Sequence, residues 1–215
     1  MSEIDATLSS GSRTVRDAYA ARALEYTNAL GSIAATSTLD QNLIREWSSS
    51  VQGRVIDAGC GPGHWTAFLH ELGVDVEGID PVRPFIEQAA SRFPGVPFRV
   101  ASFIDLNATE GQAAGILAWY SLIHLQPAEL TDVLAVLARR LEPGGSLLLG
   151  FFAGDSLEPF PHAVTTAYYW PIAEMANALA GAGFRVDETR TRTDPGSRPH
   201  AAMVARLVPT SLNVD

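Results

Sequence analysis

Apolar residues recur along this chain in two alternating rhythms. Short, mostly apolar stretches predict strands over 54–58, 74–79, 97–101 and 115–120. Leu147 to Phe152 is an unbroken apolar run, as expected for a strand buried on both faces. Between these runs the apolar spacing becomes helical. Trp65, Phe68, Leu69 and Leu72 fall at i, i+3, i+4 and i+7 and predict a helix over 64–72. A further helix is expected over 83–93. The clearest helix is 128–141, with Leu130, Val133, Leu134, Leu137 and Leu141 on one face. Pro127 sits at its start, where a missing N–H costs nothing. Pro143-Gly144-Gly145 ends it and turns the chain. Strands alternating with helices predict an α/β fold with a parallel sheet.

The two ends read differently. Residues 1–12 are Ser- and Gly-rich, and disorder is expected there. Val15, Tyr19, Ala23, Tyr26 and Leu30 predict one helix over 13–30, with a second from about 39 to 49. Together, residues 1–50 form an N-terminal helical cap in the same domain as a core over 51–208. After Phe152 the periodicity disappears, and 153–170 reads as an irregular aromatic insertion. A helix is expected at 171–181, then strands from Phe184 to Thr191 and from Ala201 to Leu207. Asp194-Pro195-Gly196 is turn chemistry, so these last two strands must be antiparallel.

Candidate chemistry concentrates after the first strand. Val55-Ile56-Asp57-Ala58 leads into Gly59-Cys60-Gly61-Pro62-Gly63, where backbone without Cβ atoms can lie against a ligand. Asp80 ends the second strand, placed to accept hydrogen bonds from ribose hydroxyls. Strand, glycine loop, helix, strand and acid make a nucleoside-binding half of a doubly wound sheet. The dinucleotide fingerprint needs its third glycine where His64 stands, which argues against an NAD-dependent oxidoreductase. A phosphate-binding loop needs Gly-Lys-Ser/Thr, and all fifteen basic residues here are arginine.

The run Asp57-Ala58-Gly59-Cys60-Gly61-Pro62-Gly63 resembles the first motif of class I S-adenosylmethionine-dependent methyltransferases, of small-molecule type. The resemblance covers roughly residues 50–208. It implies a Rossmann-like three-layer sandwich: a mostly parallel seven-stranded sheet with a C-terminal antiparallel strand. It implies S-adenosyl-L-methionine as methyl donor and S-adenosyl-L-homocysteine as product. By the same resemblance, the backbones of Gly59 and Gly61 would touch the methionine part. Asp57 would supply negative charge near its ammonium, or hold the glycine loop. Asp80 would take the ribose, Pro81 would pack on adenine, and Phe103 would line that pocket. Ser102 stands where relatives often carry an acid, and Gly115 where an acid commonly starts the fourth strand. Trp119 and Tyr120 would flank the sulfonium, a cation over aromatic faces. Tyr19 and Tyr26 match paired tyrosines of the N-terminal motif, with a hydroxyl, Arg22 or Arg13 reaching the methionine carboxylate. His124, in the loop after the fourth strand, is either a general base or a structural histidine bonded to a backbone carbonyl. His162 is a second candidate on the acceptor side.

Composition narrows the partner. A net charge of −9 disfavours nucleic acid as the acceptor and points to a small molecule. The chain lacks Asn/Asp-Pro-Pro-Tyr/Phe, the amino-methyltransferase signature for nucleic-acid bases, and Cys60 is the single cysteine. That excludes an intrachain disulfide and suits a cytoplasmic protein. No metal cluster, signal peptide or membrane span is expected. Oligomeric state is open, a homodimer among the options. The alternative function is an S-adenosylmethionine-binding protein without transferase activity, a sensor or a partner subunit. A lid is expected from the N-terminal helices and 153–170, with Tyr168, Tyr169 and Trp170 holding an apolar or aromatic acceptor.

Overall fold

In the computed structural model, residues 13–103 and 111–209 are described; the disorder expected over 1–12 lies outside them. In chain order the elements are α1 (13–21), α2 (Ala23–Leu30), a 3-10 turn, α3 (Thr38–Ser49), β1 (Val55–Ala58), α4 (His64–Glu71), β2 (Val76–Asp80) and α5 (Arg83–Arg92). There follow β3 (Phe98–Val100), β4 (Ala113–Trp119), α6 (Pro127–Arg140), β5 (Leu141–Ala153), β6 (Glu158–Pro161), β7 (Thr166–Trp170), α7 (Ile172–Gly181), β8 (Phe184–Arg192) and β9 (His200–Leu207).

One mixed sheet organises them. Strands β3, β2, β1, β4 and β5 lie side by side and parallel. All four residues of β1 are buried, which is why this strand reads as apolar apart from Asp57. On the other edge of β5, β9 runs antiparallel, and β8 pairs antiparallel with β9. Helices α3 and α4 cover one face through Leu43, Ile44, Trp47, Trp65, Phe68 and Leu69. Helices α6 and α7 cover the other through Leu130, Leu134, Leu137, Met175 and Leu179. The result is the expected three-layer α/β sandwich. Trp47 anchors the cap to the sheet: its indole N–H donates to Ser146 Oγ at 2.9 Å, a buried polar pair satisfied on both sides.

Two expectations change. The sheet has nine strands among the described residues, because 153–170 is not irregular. It contains a hairpin, β6–β7, paired antiparallel from Glu158↔Tyr169 to Pro161↔Thr166. Strand β5 overshoots β4, whose last partner is Gly150; Phe152 and Ala153 then pair with β7. Pro159 and Pro161 hid this hairpin in the sequence. Proline is tolerated there because β6 is the outermost strand. The single helix expected over 13–30 breaks at Arg22, whose φ of −117° and ψ of 12° leave the helical region.

Candidate functional site

A cleft of about 710 Å³ opens over the carboxyl ends of β1, β2 and β4. The glycine loop and Asp80 form its floor, and α1 and the β6–β7 hairpin reach over it. Gly59, at φ +81°, leaves no room for a side chain: an added Cβ would stand 2.3 Å from Ser121 Cβ. Gly61, at φ +53°, is the opposite case, since nothing lies within 4 Å of its missing Cβ. Ligand can therefore lie directly on the Gly61 backbone. Asp80 fastens this loop. Its Oδ2 accepts from Gly61 N at 2.9 Å and its Oδ1 from Val82 N at 2.8 Å. Burial pushes its carboxyl up to about 6 against the opposing effect of those two N–H donors.

Most residues singled out from the sequence converge here. Tyr19, Tyr26, Gly59, Gly61, Asp80 and Pro81 line the cleft. So do Ser102, Phe103, Trp119, Tyr120 and His124. Asp57 does not. It lies 2% exposed beneath the floor, where its Oδ2 accepts from Thr66 Oγ1 at 2.6 Å. It braces the first turn of α4, and burial raises its carboxyl to about 7. Cys60 is also buried, its thiol pushed well up, so it is not a nucleophile. Gly115 lacks an acid for a packing reason: an added Cβ would stand 2.9 Å from Val51 Cγ1 and 3.2 Å from Trp47.

The aromatic wall has one strained member. Among the described residues, Tyr120 is the non-glycine residue with positive φ, at 55°, directly after β4. Its ring stands perpendicular to Trp119 at 5.4 Å, and its hydroxyl pairs with His200 Nδ1 at 2.6 Å. Trp119 in turn lies over Gly150, whose added Cβ would meet the indole at 2.9 Å. Of the insertion's three aromatics only Tyr168 lines the cleft. Tyr169 stacks on Phe160 at 4.2 Å, and Trp170 is buried in the core. Strand alternation turns Tyr169 to the face opposite Tyr168 and Trp170, which an irregular segment would not do.

His124 joins three elements. Its Nδ1 meets the Thr166 carbonyl of β7 at 2.7 Å, and its Nε2 meets Tyr19 Oη of α1 at 2.9 Å. A carbonyl can only accept, so Nδ1 carries the proton and Nε2 accepts from the phenol. Burial lowers the imidazole pKa and raises that of Tyr19. Beside this bridge, the Arg22 guanidinium donates to the Ala163 carbonyl in the hairpin. His162 stands 5.2 Å from His124 but is not on the cleft wall, and its pKa is pushed down to about 4 by burial and by the His124 and Arg198 charges.

Three contributors escaped the sequence. Ser121 Oγ is buried on the cleft wall without a hydrogen-bond partner, so it can serve an incoming polar group. Its signal was present: a small polar residue directly before Leu122-Ile123-His124. Phe85 packs with Tyr19 and Tyr26 at 5.9 and 5.5 Å, and Thr166 supplies the carbonyl for His124. Among the described residues, no three His, Cys, Asp or Glu side chains gather as metal ligands, and no helix is long and apolar enough to cross a membrane.

Comparison with known proteins shows what this frame is similar to. Residues 55–145 match the family model described as "Methyltransferase domain". Over this stretch, somewhat less than half of the chain, the sequence is similar to a methyltransferase domain. The chain is 35% identical over 92 residues to malonyl-[acyl-carrier protein] O-methyltransferase of Salmonella typhimurium, a match covering 42% of this chain and 36% of the relative. It is 34% identical over 115 residues to trans-aconitate 2-methyltransferase of Methylobacterium nodulans, covering 51% of this chain and 41% of the relative. The matches thus span less than half of these relatives. The likeness in fold extends over nearly the whole chain. The Burkholderia thailandensis 1,6-didemethyltoxoflavin-N1-methyltransferase, solved with its substrate and S-adenosylhomocysteine, superposes with a TM-score of 0.75 at 21% identity over 92% of this chain and 88% of that one.

Proposed function

We propose that this protein is an S-adenosylmethionine-dependent methyltransferase acting on a small-molecule acceptor by in-line transfer. The observation that carries this reading is Asp80. It is held by the Gly61 and Val82 amides on the floor of a cleft whose Gly61 backbone is open to a ligand. S-adenosylmethionine supplies a methyl group already activated by the positive charge of its sulfonium.

The roles of the chain's own residues follow from their positions. Asp80 keeps lone pairs for ribose hydroxyls, and Pro81 and Phe103 bound the adenine. Gly59 and Gly61 receive the methionine end, with the Ser121 hydroxyl and Tyr19, Tyr26 or Arg13 on the same cleft wall; Arg22 is not on that wall, its guanidinium being held by Glu25 and the Ala163 carbonyl. Trp119 and Tyr120 flank the sulfonium, a contact supplying about 0.5–2 kcal/mol. The catalytic contribution is alignment and exclusion of water beneath α1 and the hairpin. Residues 1–50 act as a cap on the 51–208 core, and a cytoplasmic location is proposed with it. The acidic balance and the named relatives, which take malonyl-[acyl-carrier protein] and trans-aconitate, support an acceptor other than nucleic acid.

Calorimetry tests the reading. S-adenosylmethionine and S-adenosylhomocysteine are expected to bind the wild-type chain, NAD is not, and Asp80→Ala weakens binding by about 10- to 100-fold. Binding of NAD instead overturns it. Donor binding without product from any acceptor favours the non-transferase alternative.

A further inference from the structure

Resting on that reading, we propose that His200 is a positioning residue: from outside the cleft it holds the Tyr120 ring against the donor's sulfonium, so that the protein favours the charged donor over its neutral thioether product. The two aromatics that flank the sulfonium are fixed in different ways. Trp119 is fixed by packing. Its indole lies over Gly150, where an added Cβ would meet it at 2.9 Å, and stands edge-on to Trp65 at 6.1 Å. Tyr120 is less enclosed. Its ring meets Trp119 and Phe152 at 5.4 and 5.2 Å. Its backbone, at φ 55° directly after β4, is in the left-handed region, which is strained for a residue with a Cβ. Tyr120 also borders a second cavity, of about 320 Å³, as well as the cleft. The residue is therefore strained and has unfilled space beside it into which its ring can turn.

One hydrogen bond opposes both. The Tyr120 hydroxyl pairs with His200 Nδ1 at 2.6 Å. His200 lines the second cavity and not the cleft. It is firmly placed on β9, in register with Phe152 of β5 and Arg192 of β8, and its ring lies 5.8 Å from that of Phe152. Whichever partner supplies the proton, the bond ties a strained wall residue to the sheet. Burial lowers the His200 pKa, so the imidazole is uncharged at neutral pH. Removing it frees the ring and leaves the charge around the donor as it was. An aromatic face attracts a sulfonium and gives a neutral thioether no such attraction. The placement of Tyr120 therefore acts on donor affinity and leaves product affinity nearly unchanged.

Calorimetry on the full chain reads this without any acceptor. Each variant is titrated with S-adenosylmethionine and with S-adenosylhomocysteine, and the ratio of the two affinities is compared with that of the wild type. In His200→Ala the ratio is expected to shift against S-adenosylmethionine by about 2- to 30-fold, while S-adenosylhomocysteine binds within about twofold of wild type. Tyr120→Phe keeps the ring and loses the hydroxyl, and should shift the ratio in the same direction. It carries the test if His200→Ala does not fold. His200→Asn places an amide, which can give or take a proton, at the position of Nδ1, and should restore the wild-type ratio. Equal weakening of both ligands in His200→Ala would mean a merely structural role and overturns the proposal. An unchanged ratio in His200→Ala or Tyr120→Phe, or a ratio that His200→Asn fails to restore, overturns it too. Failure of the wild type to bind S-adenosylhomocysteine is a different result, because it overturns the donor reading beneath.

Discussion

Tyr19 donates its phenolic proton to His124 Nε2 across 2.9 Å, and so fastens the first helix to the loop after β4. The opposite nitrogen of the same ring holds Thr166 in the β6–β7 hairpin. One neutral imidazole therefore joins both halves of the roof over the cleft. Of the two roles open to His124, this geometry supports the structural one.

Removing the phenol oxygen should loosen that roof. Tyr19→Phe keeps the ring contacts with Tyr26 and Phe85 but loses one hydrogen bond, about 1 kcal/mol or about fivefold in an equilibrium. Hydrogen exchange over 13–21 is expected to quicken and S-adenosylhomocysteine to bind about fivefold more weakly. Unchanged exchange would show that the bond does not hold the helix.

The bond also sets a pH dependence. Burial lowers the His124 pKa below its unfolded value. A base shifted down stabilises the fold above its ordinary pKa of about 6.5, and that stabilisation is lost as pH falls through the folded value. Protonated Nε2 can no longer accept from Tyr19. Exchange protection of 13–21 should therefore decline on acidification, and less so in Tyr19→Phe than in the wild type.

The two loop glycines should separate folding from binding. Gly59→Ala places a Cβ 2.3 Å from Ser121 Cβ in left-handed backbone, so a fall in Tm of several degrees is expected. Gly61→Ala meets nothing within 4 Å and costs only about 1–2 kcal/mol of backbone strain. Its fold should survive, while its methyl group occupies the ligand's approach and weakens S-adenosylhomocysteine in calorimetry. Equal loss of Tm in both variants would contradict this division.

Asp57 offers a stability test away from the cleft. Its carboxyl is raised from 3.8 to about 7, so the folded chain binds a proton more tightly than the unfolded one. Stability from this group is therefore greatest in acid and declines as pH rises from about 4 to about 7. Asp57→Asn keeps an oxygen for Thr66 Oγ1 and removes the buried charge. Relative to wild type, it should gain stability on going from acid to neutral pH, on the order of 4 kcal/mol, as followed by thermal melts across that range.

The parallel core was legible because fully buried strands must be apolar. Thus 54–58 and 147–152 stand out by residue type and spacing alone. The glycine loop and Asp80 were legible because backbone approach without Cβ atoms leaves few residue choices. The β6–β7 hairpin was not legible, since prolines at an edge strand look like loop. The fate of Tyr168, Tyr169 and Trp170 depended on that hairpin's alternation. The bend at Arg22 was equally hidden, because either side of it has helical spacing.

By itself, then, the sequence determined the alternation of strands and helices, the glycine loop and the acid that fastens it. These depend on local backbone freedom and on burial, both written in residue type and spacing. Tertiary structure alone decided that Asp57 lies under the floor, that Ser121 closes on Gly59, and that His124 holds Tyr19 and Thr166 rather than an open lone pair. Those outcomes depend on hydrogen bonds between residues up to 105 positions apart, and no local pattern encodes them.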